Sequence, residues 1–146
     1  MNPKYFVIAV FVLGGAAFAY DKFWPKPENP HSVQTTAGEA GAPLVNVTVP
    51  VLSAAGEEGK MLFDGNCGTC HGNNAAGQDG VAPPLVHVIY EPNHHSDMAF
   101  VLAAKNGVRA HHWRFGDMPP REGVSDSDVA KIIAYVRELQ RANGIH

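Results

Sequence analysis

The sequence predicts an all-α fold: a few short helices, preceded by an apolar N-terminal membrane helix. Three observations carry that expectation. The final segment has helix signals at both ends and an apolar stripe between them. A second helical segment runs from Ser53 directly into a Cys-x-x-Cys-His motif. An alternating stretch, Leu44 to Leu52, contains Pro50, which argues against a central strand.

With 146 residues the chain has room for one small domain plus extras. A formal net charge of −3 leaves no basic footprint for nucleic acid. From Met1 to Leu52, Lys4, Lys22 and Lys26 balance Asp21, Glu28 and Glu39, so the net charge belongs to the remainder.

Residues 1–24 are read as an N-terminal transmembrane anchor. Tyr5 to Tyr20 carries no charge, and Phe23, Trp24 and the tyrosines at both ends can sit at the interfaces. A signal peptide is the alternative, with Ala17-Phe18-Ala19 resembling a cleavage site and a soluble product after cleavage near Ala19. The Pro-rich tether that follows would have little purpose after cleavage, which favours the anchor. Positive charge before the segment places the amino end in the cytoplasm and the rest outside it. Residues 25–52 form a linker and an extended segment. Pro25 to Pro43 is rich in Pro, Gly, Thr and Ala without apolar periodicity, and Leu44 to Leu52 is expected to pack on the domain.

Residues 53–146 make the domain. Ser53 to Asn66 is predicted helical: Glu57 and Glu58 favour the first turn, and Gly59, Leu62, Phe63 and Asn66 fall near one face. Gly72 to Pro84 is a loop, dense in Gly, Asn and Pro. Ser96 to Lys105 is a second helix, with Ser96 as N-cap and Asn106-Gly107 as its stop. His111 to Pro120 is a loop ending in Asp117-Met118-Pro119-Pro120. The last helix opens with a Ser125/Asp128 capping box and a Val124–Val129 staple, and closes at Asn143-Gly144. Its stripe is Val129, Ile132, Ile133, Val136 and Leu139, with Tyr135 beside it.

The chemistry centres on Cys67-Gly68-Thr69-Cys70-His71. Two thiols three positions apart, followed by an imidazole, read as a covalent haem attachment site. Each thiol can add to one vinyl group, and one turn of helix brings all three side chains to the same porphyrin. A redox disulfide would sit in a βαβ pattern, which is absent here. A zinc site of two Cys pairs is excluded by a total of two cysteines, and no His pair follows at finger spacing. Haem attachment uses both thiols, leaving none for a disulfide, so the cofactor supplies much of the core of a small domain.

A six-coordinate iron needs a second axial ligand beyond His71. Met61 lies on the attachment helix, Met98 lies inside a predicted helix where methionine is more often core filler, and several histidines are also available. Met118 sits in a loop clamped by Pro119 and Pro120 and is the chosen ligand. A thioether also raises the potential.

Gly59, Phe63 and Cys67 in the first helix, Ile132 and Tyr135 in the last, Ala82-Pro83-Pro84-Leu85 and Asp117-Met118-Pro119-Pro120 together resemble a class I c-type cytochrome, over most of Ala54 to Gly144. The apolar N-terminal segment and tether are similar to those of its membrane-anchored bacterial monohaem members. The resemblance implies a small cytochrome c fold wrapped around one covalent haem c, with the last helix crossing the first at Gly59. It also implies that the Pro83 carbonyl accepts the Nδ1 proton of His71 and fixes that ring. Two departures stand out: Ala82 occupies a position where the family usually has Gly, and His87 to His112 is long and His-rich.

Within that stretch, His94-His95 and His111-His112 are adjacent pairs, with His87 nearby. A second metal site, or a histidine in place of Met118, is the sharper reading. Neighbouring residues do not face one another, so each pair is expected to offer one ligand, and no spacing matches a known metal motif. These histidines are therefore read as flanking the haem pocket or facing water. Among Arg109, Arg114, Arg121 and Trp113, one is expected to bond a haem propionate.

The reading for function is a one-electron carrier and not an enzyme. It would sit at the bacterial inner membrane with its haem domain in the periplasm, between respiratory or photosynthetic complexes. A quinol-oxidising complex as donor and a terminal oxidase as acceptor follow from family analogy. The alternative is the haem subunit of a larger periplasmic oxidoreductase, or a haem-based ligand sensor, which would need an open sixth position.

Overall fold

The computed structural model describes residues 39–146 together with Tyr20 and Phe23; the predicted anchor and most of the tether lie outside the described residues. Within residues 39–146, four α-helices follow in order: α1 (Ala54–Asn66), α2 (Gly68–His71), α3 (Asp97–Asn106) and α4 (Asp126–Ala142). Single 3₁₀ turns at Asn73–Ala75 and Val88–Tyr90 both lie between α2 and α3. Among the described residues there is no β-strand, only the isolated bridges Gln78–Ala82 and Val108–Met118. None of the described helices is long and apolar enough to cross a membrane.

Local chemistry sets the helix ends. The Ser53 hydroxyl accepts from Gly56 N at 3.1 Å, and Glu57 complements the positive end of α1. Ser125 and Asp128 form the expected capping box on α4 (3.1 and 3.2 Å). Ser96 occupies the N-cap position of α3, but its side chain makes no capping bond. The α4 stripe packs as its spacing requires. Val129, Ile132 and Ile133 are each 5% exposed, while Tyr135, Val136 and Leu139 are fully buried.

Helices α1 and α4 cross where a side chain is missing. A Cβ on Gly59 would run into the backbone carbonyl of Lys131 and lie 2.9 Å from Tyr135 Cβ. One turn further, Phe63 and Tyr135 are both fully buried, their ring centroids 5.5 Å apart and tilted by 56°. At Gly56 the neighbour is different in kind: the flexible Glu138 carboxylate, at 2.7 Å from such a Cβ. Around this crossing gather Ala75, Val86, Ile132, Val136 and Leu139, with Val47, Leu52 and Phe100 packed against them.

The segment before α1 is held by the far end of α4. Asn143 acts as a substitute strand: Thr48 N donates to its Oδ1 at 2.9 Å, and its Nδ2 donates to Thr48 O at 2.8 Å. Leu44 and Val45 both donate to Ala76 O (3.0 and 3.2 Å). Backbone groups of an extended chain are thereby satisfied without a sheet.

Two polar residues of α4 face inward. Arg137 is 7% and Gln140 1% exposed. Arg137 donates to Tyr90 O at 2.7 Å, His95 O at 2.6 Å, Asp97 Oδ1 at 2.9 Å and Gln140 Oε1 at 2.6 Å. Its guanidinium lies 4.9 Å from the Phe100 ring centroid. Gln140 Nε2 donates to Leu85 O (2.8 Å) and Tyr90 O (3.1 Å). Together they fasten the long connection between residues 85 and 97 to α4.

Gly59→Ala is expected to destabilise the haem-loaded domain by about 3 kcal/mol, because backbone must move. Gly56→Ala should cost less than about 1 kcal/mol, since only the end of a flexible side chain gives way and alanine favours the helix. Urea midpoints of the two variants check the contrast.

Candidate functional site

Helix α1 ends where the site begins. Cys67 N donates to Phe63 O at 2.7 Å, and His71 N donates back to Cys67 O at 2.9 Å, so one helical turn closes across the motif. Cys67, Cys70 and His71 all line a cavity of about 520 Å³, whose walls are largely apolar. Burial raises the Cys67 thiol above its ordinary range, and the Arg121 charge opposes that rise.

His71 is buried, and that burial lowers its basicity against the smaller opposing effect of its bond to Pro83. The ring is therefore neutral near pH 7. Its Nδ1 lies 2.8 Å from the Pro83 carbonyl, which can only accept, so the proton sits on Nδ1 and Nε2 keeps the lone pair. The loop behind it is tightly wound. A Cβ on Gly77 (φ +74°) would lie 2.5 Å from Pro84 N and 2.9 Å from the Pro83 carbonyl carbon. Ala82 needs no left-handed backbone, because Gly80 takes φ +74° and Ala82 pairs with Gln78 through bonds of 2.9 and 3.1 Å. Gln78, which the sequence reading passed over, donates to the carbonyls of Thr69 (2.7 Å) and Cys70 (3.0 Å) in α2.

Met118 lines the same cavity. It is held by a reciprocal backbone pair with Val108 (2.9 Å both ways), and Asp117 Oδ1 accepts from Ala110 N at 2.8 Å. Gly107 (φ +73°) permits the approach, since a Cβ there would lie 2.5 Å from Met118 O. Met61 and Met98 are 68% and 61% exposed and do not border the cavity; Met98 is thus not the core filler expected.

On another part of the wall, Trp113 is 8% exposed, and its buried indole N–H makes no well-formed hydrogen bond although the Tyr90 hydroxyl is close by. It faces the Tyr90 hydroxyl closely enough to ease that group's ionisation, but burial dominates and Tyr90 is pushed up to about 12. Arg121 also borders the cavity and is exposed, whereas Arg109 and Arg114 do not border it. His87 stands edge-on to Trp113 at 5.3 Å. His95, His111 and His112 flank the pocket as expected, lining the cavity, but the expectation that each adjacent pair offers a single ligand fails. His94 and His95 both approach His112, with one ring nitrogen of each within 4.8 Å of the others.

An apolar cavity with two thiols, a neutral imidazole, a thioether and a buried indole donor without a well-formed hydrogen bond fits a haem and its propionates. Cys67 and Cys70 would hold it, His71 and Met118 would face its iron, and Trp113 would serve a propionate.

A small helical domain with such a site is an electron-carrying haem protein. The chain belongs to the cytochrome c family, whose model matches residues 56–140. It is similar to the cbb3-type cytochrome c oxidase subunit CcoP of Azospirillum brasilense, with 51% identity over 95 residues. That match takes in 60% of this chain and 29% of the relative, so the chain spans under a third of that relative's length. No solved structure matches. The cofactor is one covalently bound c-type haem.

Trp113→Phe should keep the haem attached but raise the pH at which the midpoint potential begins to fall. Losing a donor to the charged propionate raises that group's pKa. An unchanged inflection in redox titrations across pH would place the indole proton elsewhere.

Proposed function

We propose that this chain is a monohaem electron carrier, tethered by residues 1–24 to the bacterial inner membrane with its haem domain in the periplasm. It would take electrons from a quinol-oxidising complex and pass them to a terminal oxidase. The observation that carries this reading is the meeting of His71 and Met118 on one cavity. With haem bound, that neutral imidazole and thioether would be the two protein donors to its iron and would leave no position for substrate. When bound, the haem supplies the one-electron couple. The chain's own residues attach it through Cys67 and Cys70, orient His71 through Pro83, hold Met118 against Val108, and keep water from the apolar walls. A tether would raise the concentration of the domain beside membrane partners.

One observation favours a second reading, permanent membership of an oxidase. The region of similarity lies within a longer subunit of such an enzyme. A tethered carrier should separate from the oxidase in mild detergent yet reduce it when re-added, and its intact mass should include residues 1–19 and one haem. A catalytic chain that stays bound through purification would establish the second reading, and loss of residues 1–19 would make the carrier soluble.

Ferrous wild-type protein is expected to resist carbon monoxide at neutral pH, and Met118→Ala to bind it readily. Ready binding by wild type would instead indicate a ligand sensor. An unchanged ferric spectrum in the variant would move the sixth ligand to a histidine.

A further inference from the structure

Four imidazoles from two separate segments meet beside the haem cavity. His94 and His95 end the turn that precedes α3, and His111 and His112 sit in the loop that carries Met118. The ring centroids of His94 and His95 are 4.8 Å apart, and each lies 5.3 Å from that of His112. His111 packs on His112 at 4.2 Å and on His95 at 6.3 Å.

Adjacent residues converge here because the turn makes them. The backbone N–H groups of His94 and His95 both donate to Glu91 O (3.0 and 2.8 Å), and Arg137 bonds the His95 carbonyl at 2.6 Å. The chain is thus curled so that both rings reach His112. His95 and His111 are also oriented as metal ligands usually are. Nδ1 of His95 is 2.6 Å from Ile89 O, and Nδ1 of His111 is 2.9 Å from Arg109 O. A carbonyl can only accept, so both Nδ1 atoms carry the proton and both Nε2 atoms keep a lone pair.

We propose that His94, His95 and His112 bind one divalent transition-metal ion of the imidazole-preferring class, zinc or copper(II), with His111 beside them as a further donor. Their ligating nitrogens lie within 4.8 Å of one another. Metal–nitrogen bonds of about 2.0–2.1 Å place tetrahedral ligands roughly 3.3 Å apart. Small side-chain rotations cover the difference, and His94 is exposed enough to make them. Arg137, whose charge acts on His95, is paired with Asp97 at 2.9 Å, which blunts its repulsion of a second positive charge. All-nitrogen donors and the absence of a carboxylate from the group favour zinc or copper over calcium or magnesium. Such an ion would cross-link the connection before α3 to the Met118 loop. Its ligands are none of Cys67, Cys70, His71 and Met118, although His95, His111 and His112 also line the haem cavity, and the proposal holds whichever electron-transfer role the chain serves.

The test is a zinc titration of the haem-loaded, chelator-treated chain against a competing chromophore. One equivalent is expected, with His94→Ala and His112→Ala each weakening it at least about tenfold. His87→Ala, outside the cluster, should leave it unchanged. His94 is exposed, so its variant is expected to fold, and an unaltered haem spectrum checks this. Failure to bind one equivalent, or equal affinity in the His94 and His112 variants, overturns the proposal.

Discussion

The absent side chain at Gly59 sets how deeply α1 and α4 cross, and the positions of the motif residues depend on that depth. Helix α1 passes into α2 through the Cys67 turn without an intervening loop, so the crossing is transmitted directly to Cys67, Cys70 and His71. Phe63 and Tyr135 seal it from solvent. Tyr135 then reaches past the core: its hydroxyl donates to Asn74 Oδ1 at 3.3 Å, on the loop that follows His71. Burial, reinforced by the charges of Asp64 and Glu57, pushes Tyr135 up to about 12, so it remains a neutral donor at any ordinary pH. One helix pair therefore positions both the attachment motif and the loop that orients its imidazole.

The opposite wall of the core is built by a different force. Apolar burial is non-directional and does not fix the path of a long connection. Arg137 and Gln140 do so with hydrogen bonds to the carbonyls of Leu85, Tyr90 and His95. A buried guanidinium is tolerable only when its donors are used, and here they reach three carbonyl or amide oxygens and one carboxylate. The benefit is definition of the backbone, which sets where Tyr90 and His95 border the cavity.

Features whose causes lie within a few residues could be read from the sequence. The Ser125/Asp128 box, the α4 stripe and the turn from Cys67 to His71 are all local, and all appear as expected. Gly59 was legible only through the family resemblance, because nothing in its neighbours announces a backbone contact with Lys131. Arg137 and Gln140 were not legible at all. Flanking an apolar stripe they look solvated, and their partners outside α4 lie 40 to 55 residues away in the chain. The convergence of His94, His95 and His112 was hidden for the same reason. The rule that neighbours on a chain face apart holds for regular helices and strands, and this turn is neither. Met98 was misjudged from residue type alone, since α3 has no fully buried residue for it to join.

That shallow packing of α3 makes the two proposed iron ligands unequal. His71 is fixed at its backbone by Gly77 N (2.7 Å to its carbonyl) and at its ring by Pro83, on a loop whose glycines leave no slack. Displacing it means opening the α1–α4 crossing. Met118 is fixed just as closely to its immediate neighbours, through Val108, Gly107 and the bond from Arg121 N to Ala104 O at 2.7 Å. Those neighbours, however, belong to α3 and its end. Helix α3 is joined to α4 through the partly buried Phe100 and the Asp97–Arg137 pair, in which the Asp97 side chain is 68% exposed. An ion pair half in water contributes little by itself. Local opening follows the least-buried unit, so thermal or chemical stress releases the Met118 side first while the attachment side stays formed. The fold thus keeps its rigid wall under the covalent attachment and places its more easily opened wall at Met118, the proposed second ligand.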